Sequence, residues 1–138
     1  GAAEDVVAAL RDYGDALGIA FQIVDDVLDY GGTSAVIGKN TGDDFRERKL
    51  TLPVIHAVAN SNSEERAFWE RVIEKGDQRE GDLDRAMAIL ATHGSIVYAR
   101  DSAVAWARRA KSALHNLPAN NLRDTLLELA DFVVERVA

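Results

Sequence analysis

Apolar residues recur at intervals of three and four along most of this chain, which is the spacing of an amphipathic helix. Glycine, proline and short polar runs interrupt the pattern, and the segments between them predict helices over 6–30, 52–59, 67–75, 82–93, 95–114 and 122–137. No long segment alternates apolar and polar residues with the period of two expected of a strand, and the sequence has no internal repeat. The pattern therefore predicts an all-α fold.

Local signals support several of these boundaries. Pro53 falls in the first turn of a predicted helix, where proline is tolerated. Asn62 and Glu65 have the spacing of a capping pair at a helix start. Gly76 and Gly94 close the helices that they follow. We expect the helices after residue 52 to act as scaffold.

The predicted helix 6–30 carries a polar stripe on an otherwise apolar surface. Gly18, Gln22, Asp25 and Asp29 follow one another at offsets of four, three and four, so they share one face. Asp26 lies about 100° around the helix from Asp25. A helix that is apolar nearly all round is normally buried, so the stripe is predicted to face an internal cavity. The alternative is a solvated acidic face, which the apolar residues on either side of the stripe disfavour.

Three carboxylates in an apolar setting need a partner. Asp25, Asp26 and Asp29 disfavour one another's ionised form when they are close together. A hard cation removes that conflict, because Mg²⁺ binds oxygen ligands and is usually held by a few carboxylates and substrate phosphates. Mn²⁺ is the other candidate ion. The segment therefore predicts a metal-dependent phosphate chemistry.

A glycine-punctuated segment with two lysines follows this helix. Lysine is a compact point charge suited to phosphate, and a loop over 31–51 that folds back would bring Lys39 and Lys49 beside metal-bound phosphates. Asp44 would then hold a metal-bound water or one of the lysines. The alternative is that both lysines are solvated and paired with Asp43, Asp44 or Glu47. Their position directly after the carboxylates favours the phosphate interpretation.

Composition excludes several classes of protein. The 138 residues are 47% hydrophobic, which is enough for a core, and the net charge of −7 argues against nucleic acid and anionic membrane surfaces as partners. The absence of cysteine excludes disulfides and thiolate metal sites. The three histidines lack ligand spacing. We attribute the basic residues Arg108, Arg109 and Lys111 to the favourable dipole near a helix C-terminus rather than to a phosphate site.

The motifs resemble those of one enzyme family. Gly-x-x-Phe-Gln-x-x-Asp-Asp-x-x-Asp over 18–29 is followed by Gly-Lys-x-x-Gly-Asp-Asp over 38–44 and Lys-x-Thr-Leu-Pro over 49–53. This ordered combination resembles the second aspartate-rich motif, and the loop behind it, of the trans-isoprenyl diphosphate synthases. Within that family, the residues at 51–57 are most similar to those of the long-chain polyprenyl diphosphate synthases that make quinone side chains.

The resemblance implies a helical bundle of the isoprenoid synthase type and a prenyl transfer. An allylic diphosphate loses diphosphate, the double bond of isopentenyl diphosphate attacks the allylic cation, and a proton is removed. By resemblance, the site residues have three roles: Asp25, Asp26, Asp29 and Asp44 at the metal, Gln22, Lys39 and Lys49 at the allylic diphosphate, and Asp25, Lys39 and Lys49 in catalysis.

The family uses two aspartate-rich motifs, and this sequence carries one of them. The resemblance therefore implies that residues 1–138 are the C-terminal portion of a single all-α domain, inactive alone. Apolar faces that the missing portion would cover should then drive self-association, most simply as a homodimer. No 18-residue apolar run is present, which leads us to expect a cytoplasmic protein, with membrane proximity suggested by the apolar product.

Two other functions share the same motif. A non-catalytic subunit of a heteromeric prenyl synthase would be expected to have lost aspartates, whereas Asp25, Asp26 and Asp29 are all present. A class I terpene cyclase also binds Mg²⁺ through aspartate-rich helices but favours a different second metal motif. A helical interaction module without chemistry leaves Lys39 and Lys49 unexplained.

Overall fold

The computed structural model describes residues 2–30 and 42–137, and in this part of the chain all regular structure is helical. The helices are α1 (Ala2–Tyr30), α2 (Asp43–Arg46), α3 (Leu52–Asn60), α4 (Ser63–Trp69), α5 (Asp82–Thr92), α6 (Ser95–Ala113) and α7 (Asn121–Glu135). A π-helical turn, Glu70–Glu74, continues α4, and a 3₁₀ turn, Leu114–Asn116, continues α6. The prediction of an all-α fold is confirmed.

The helix boundaries agree with the sequence to within a few residues, with two exceptions. The helix predicted over 67–75 begins earlier, at Ser63, because Asn62 and Glu65 form a full capping box at its start. Asn62 Oδ1 accepts the N–H of Glu65 at 2.8 Å, and Glu65 Oε1 accepts the N–H of Asn62 at 2.9 Å. The short helix α2 lies inside the segment for which the sequence predicts only a loop.

Contacts divide the chain into two compact units, Gly1–Val24 with Arg100–Ala138 and Asp25–Ala99. The first unit has a core rich in alanine, and small side chains let helix backbones approach closely. Its buried members are Ala9, Tyr13, Ala16, Ala110, Leu114, Leu117 and Ala130. The Tyr13 hydroxyl donates to the Leu126 carbonyl at 2.7 Å, and burial raises the pKa of Tyr13. The sequence prediction of a single domain stays a prediction.

The second unit has larger side chains in its core. They come from the end of α1 and from α2 to α5, and they are Tyr30, Phe45, Val54, Ala57, Phe68, Trp69, Val72, Ile73, Ala86, Ile89 and Leu90. The unit also contains an ion pair in which Arg71 Nη1 and Nη2 each donate to one oxygen of the Asp82 carboxylate at 2.9 Å. This pair lowers the pKa of Asp82. The unit fixes the end of α1 and the segment after residue 42.

Helix α1 is less uniformly buried than its sequence predicts. Ala20 and Val24 are fully buried, but Ile19 and Phe21 are exposed among the described residues. Over 2–30 and 42–137, no helix combines the length and apolar character needed to cross a bilayer.

Candidate functional site

The end of α1 carries the predicted carboxylates. Asp26 and Asp29 are only 8% and 7% exposed, and Asp25 is half-buried. Gln22 is exposed on the same helix. One α-helix holds all four residues, so their spacing along its axis is fixed. Gly18 and Gln22 of the predicted stripe are exposed, and the internal cavity that the stripe would face stays a prediction.

Two backbone N–H groups of the second unit form hydrogen bonds to Asp29. The N–H of Asp44 donates to Asp29 Oδ2 at 3.1 Å, and the N–H of Gly42 donates to the Asp29 carbonyl at 3.0 Å. Gly42 takes this position with φ of +87°, in the left-handed region that favours glycine. Gly42 and Asp44 therefore both contact the carboxylate helix, and Asp44 lies beside Asp29.

Three hydrogen bonds and the packing of one buried side chain fix the segment that carries Asp44. Phe45 is buried in the core of the second unit, and its carbonyl accepts the Gln78 side-chain amide at 2.7 Å. Arg48, in a left-handed conformation with φ of 63°, donates to the carbonyls of Ile73 at 2.8 Å and of Glu74. These bonds satisfy carbonyls at the end of the π-helical turn. Asp44 is thus held by a packed and hydrogen-bonded frame.

Lys49 lies next to Asp44 but points largely to solvent. Its Nζ is 3.5 Å from Asp44 Oδ1 and 3.0 Å from Glu47 Oε2, and the side chain is 58% exposed. The hydrogen bond to Glu47, with a smaller contribution from Asp44, raises the pKa of Lys49. Lys49 therefore presents a charged, exposed ammonium group that is paired with the carboxylates of Asp44 and Glu47. This geometry matches both sequence interpretations, the phosphate contact and the solvated pair with Asp44 and Glu47.

A buried tyrosine completes the group. Tyr30 is 3% exposed, and its hydroxyl has no hydrogen-bond partner among the described residues. Burial raises the pKa of Tyr30 far above its ordinary value, and the negative charges of Asp29, Asp44 and Asp26 raise it further. The hydroxyl is therefore a neutral donor within electrostatic range of three carboxylates.

These side chains fit a hard cation as part of a ligand set. Asp25, Asp26 and Asp29 offer carboxylate oxygens as ligands, the type that Mg²⁺ selects. The Tyr30 hydroxyl adds a buried hydrogen-bond donor that has no acceptor among the described residues. Within the described residues, no three carboxylate or histidine side chains converge enough to hold an ion by themselves. Mg²⁺ commonly keeps several waters and completes its shell with substrate phosphates, so a partial protein set is compatible with it. Lys39 lies outside the described residues.

Sequence reasoning missed two features of this region. The helix α2 has a readable signal, because Asp43 and Asp44 in a first turn after Gly42 favour a helix start. Tyr30 follows Asp29 directly, but nothing in the sequence distinguishes a buried unsatisfied hydroxyl from an ordinary core tyrosine.

Comparison with known proteins supplies an independent observation. The family model described as Polyprenyl synthetase matches residues 1–90. The chain is 42% identical over 136 residues to the octaprenyl diphosphate synthase of Haemophilus influenzae, covering 99% of this chain and 41% of that protein. It is 37% identical over 128 residues to an all-trans-nonaprenyl-diphosphate synthase of Rhodobacter capsulatus, covering 39% of it. The chain thus spans about two fifths of the length of these relatives.

Solved structures show the same similarity to polyprenyl synthases. A decaprenyl diphosphate synthase from Rhodobacter capsulatus matches with a TM-score of 0.91 and 65% identity, over 98% of this chain and 42% of that one. A polyprenyl synthase from Caulobacter crescentus, complexed with calcium and isoprenyl diphosphate, matches with a TM-score of 0.85 and 51% identity, over 94% of this chain and 40% of that one.

Proposed function

Because this chain belongs to the polyprenyl synthetase family, we propose that it supplies the allylic-diphosphate side of a polyprenyl diphosphate synthase. The reaction is the condensation of isopentenyl diphosphate with an allylic diphosphate. In that reaction the allylic C–O bond breaks, a C–C bond forms, and one proton is lost. The similar proteins that make octaprenyl and decaprenyl diphosphates favour a long product, of the kind used as a quinone side chain.

The observation that carries this proposal is the group formed by Asp29, Asp44 and Lys49. The Asp44 N–H fixes the Asp29 carboxylate, and the Asp44 side chain tethers the Lys49 ammonium. A protonated, exposed lysine at this position would bind a phosphate oxygen and stabilise the negative charge that develops on the departing diphosphate. We assign the same contact to Lys39, and a polar contact to the same diphosphate to Gln22.

Asp25, Asp26 and Asp29 would hold Mg²⁺, or Mn²⁺, together with Asp44. When bound, the ion supplies electrostatic stabilisation of the leaving diphosphate. The buried positions of Asp26 and Asp29 reduce screening by water, which strengthens their attraction for a cation. The Tyr30 hydroxyl can donate to a carboxylate oxygen of this group and so keep it oriented.

We also propose that the chain associates with itself. The outer face of α1 carries the exposed apolar residues Val7, Leu10 and Phe21 at helical spacing, and α7 exposes Leu129 and Phe132. Exposed apolar surface of this kind favours association. Light scattering should show a mass above that of the 15.0 kDa monomer that rises with concentration; a constant monomer mass would contradict the homodimer.

A chimera tests the catalytic proposal directly. This chain would replace the matching 41% of the Haemophilus influenzae octaprenyl diphosphate synthase, and incorporation of labelled isopentenyl diphosphate onto an allylic primer would be measured with Mg²⁺. Asp29→Asn keeps an acceptor for the Asp44 N–H but removes the charge. We expect it to lower kcat by about a hundredfold or more, because electrostatic stabilisation by a bound ion contributes several kcal/mol.

Asp84→Asn is the matched control, since Asp84 is an exposed carboxylate on α5. It should change the rate by less than about twofold. A folded chimera that is inactive, or that loses equal activity in both variants, would contradict the proposal. Loss of elongation with retained diphosphate release would point instead to a terpene cyclase.

A further inference from the structure

The first unit contains a pocket whose walls are basic. It has a volume of about 400 Å³ and lies between the end of α6 and the start of α7. Its basic walls come from both helices and the turn between them, and two leucines form the apolar part: Arg108, Lys111, His115, Arg123, Leu114 and Leu127.

The charge of this pocket contrasts with that of the chain. The net charge is −7, yet no carboxylate is among the described residues that line the pocket. Lys111 is already balanced, because its Nζ donates to Asp131 at 2.7 Å. An excess of positive charge therefore remains on Arg108 and Arg123.

Arg123 has unused donor capacity. Its Nη1 donates to the Leu117 carbonyl at 3.1 Å, and its Nε is buried without a hydrogen-bond partner among the described residues. A guanidinium has five N–H donors in a planar fork that matches phosphate oxygens. A buried donor without an acceptor costs free energy. An incoming oxyanion would compete with few existing bonds and would satisfy donors that now lack acceptors.

The three basic residues near the end of α6 have different surroundings. Arg109 stacks over the Trp106 ring, with its guanidinium carbon 4.2 Å from the ring centroid, and Lys111 pairs with Asp131. Arg108 instead lines the pocket with Arg123 from the next helix. The helix dipole accounts for cations at this end of α6, but it does not account for Arg123, which lies in the first turn of α7.

We propose that this pocket binds a phosphate or diphosphate anion, at a site separate in sequence from the carboxylates of α1. Arg108 and Arg123 hold the phosphate oxygens, and the leucine surface accommodates an apolar substituent. The source of the phosphate is either a soluble anion or the headgroup of an anionic lipid.

Calorimetry on this chain tests the proposal. Inorganic diphosphate would be titrated in the presence of EDTA, which excludes metal-dependent binding at the carboxylates, so the result does not depend on the proposed catalytic function. We expect saturable binding that weakens with added NaCl. Arg123→Gln and Arg108→Gln should each weaken it about tenfold or more, the value of a hydrogen bond to a charged group.

Arg79→Gln removes the same charge from an exposed ion pair in the other unit and should leave the affinity unchanged. Arg108 is exposed, so its variant remains informative if Arg123→Gln unfolds the chain. Binding of phosphatidylglycerol vesicles alone, abolished in both arginine variants, would support the site and identify the lipid source. No binding of diphosphate, phosphate or vesicles, or equal weakening by Arg79→Gln, would overturn the proposal.

Discussion

Two glycines in the second unit provide a matched test of how tightly the Asp44 segment is held. Gly42 and Gly81 both precede a helix in the left-handed conformation, with φ of +87° and +86°. Alanine at either position has the same backbone strain, about 1–2 kcal/mol, and the same gain from a less flexible unfolded chain. The two sites differ in their surroundings. A Cβ at Gly42 would lie 2.6 Å from Leu83 Cδ1 and 2.7 Å from Cδ2, whereas one at Gly81 meets no described atom within 4 Å.

Gly42→Ala should therefore destabilise the chain more than Gly81→Ala. Leu83 packs against the core of the second unit, so moving it is an overpacking change that costs about 1–3 kcal/mol. Urea unfolding monitored by circular dichroism gives both free energies of unfolding. In the double variant Gly42→Ala with Leu83→Ala, the clash is removed, and the two changes should be coupled favourably by about 1 kcal/mol or more. Equal losses for the two glycines, or additive effects in the double variant, would refute the close contact between Gly42 and Leu83.

Three further changes have definite expected outcomes. Gly18→Ala should raise the free energy of unfolding by about 1 kcal/mol, because alanine favours the helix and its Cβ meets no described atom within 4 Å; a loss of stability in urea unfolding would contradict this. Tyr30→Phe should leave the chain equally stable or stabilise it by about 1 kcal/mol, because it removes a buried hydroxyl without an acceptor; a clear loss would show that the hydroxyl has a partner. Arg71 lowers the pKa of Asp82, so Asp82 contributes stability above the ordinary carboxyl pKa of about 3.9 and loses it as pH falls through the lower folded value. The difference in stability between the chain and Asp82→Asn should be constant above about pH 5 and should shrink below about pH 4; a difference that persists at the lowest pH would exclude the ionic contribution.

The helices were predictable because their signals are local. Asn62 and Glu65 form the capping box that their spacing indicates, and the apolar periodicity alone identifies the long helices. The π-helical turn after α4 has no local signal in the sequence, and Arg48, which donates to the Ile73 carbonyl in it, lies 25 residues away. The hydrogen bond from the Asp44 N–H to Asp29 was not predictable either. It joins residues 15 apart in the sequence, across a segment that the apolar pattern predicts only as a loop.

The burial of two of the candidate carboxylates was predictable from the sequence, whereas their surroundings were not. Carboxylates within an apolar helix indicate a cation because of their residue type and spacing, and Asp26 and Asp29 are indeed buried. The exposure of Phe21 was not predictable, because periodicity shows that a face is apolar but not what covers it. The pocket between α6 and α7 was missed for a related reason. Arg108 and Arg123 come from different helices, and each alone has an ordinary explanation.

Tyr30 shows why the end of α1 is better explained by function than by stability. A buried hydroxyl without an acceptor costs free energy, and phenylalanine would fill the same core position without that cost. Nearby, Asp26 and Asp29 are also buried, although a carboxylate is expensive to remove from water. A scaffold helix needs neither feature. Both are useful where a cation and a phosphate are to be bound, because buried carboxylates attract the cation and the phenol donates to an oxygen of the assembled site. The spare donor of Tyr30 and the buried carboxylates therefore both support the location proposed for the binding site.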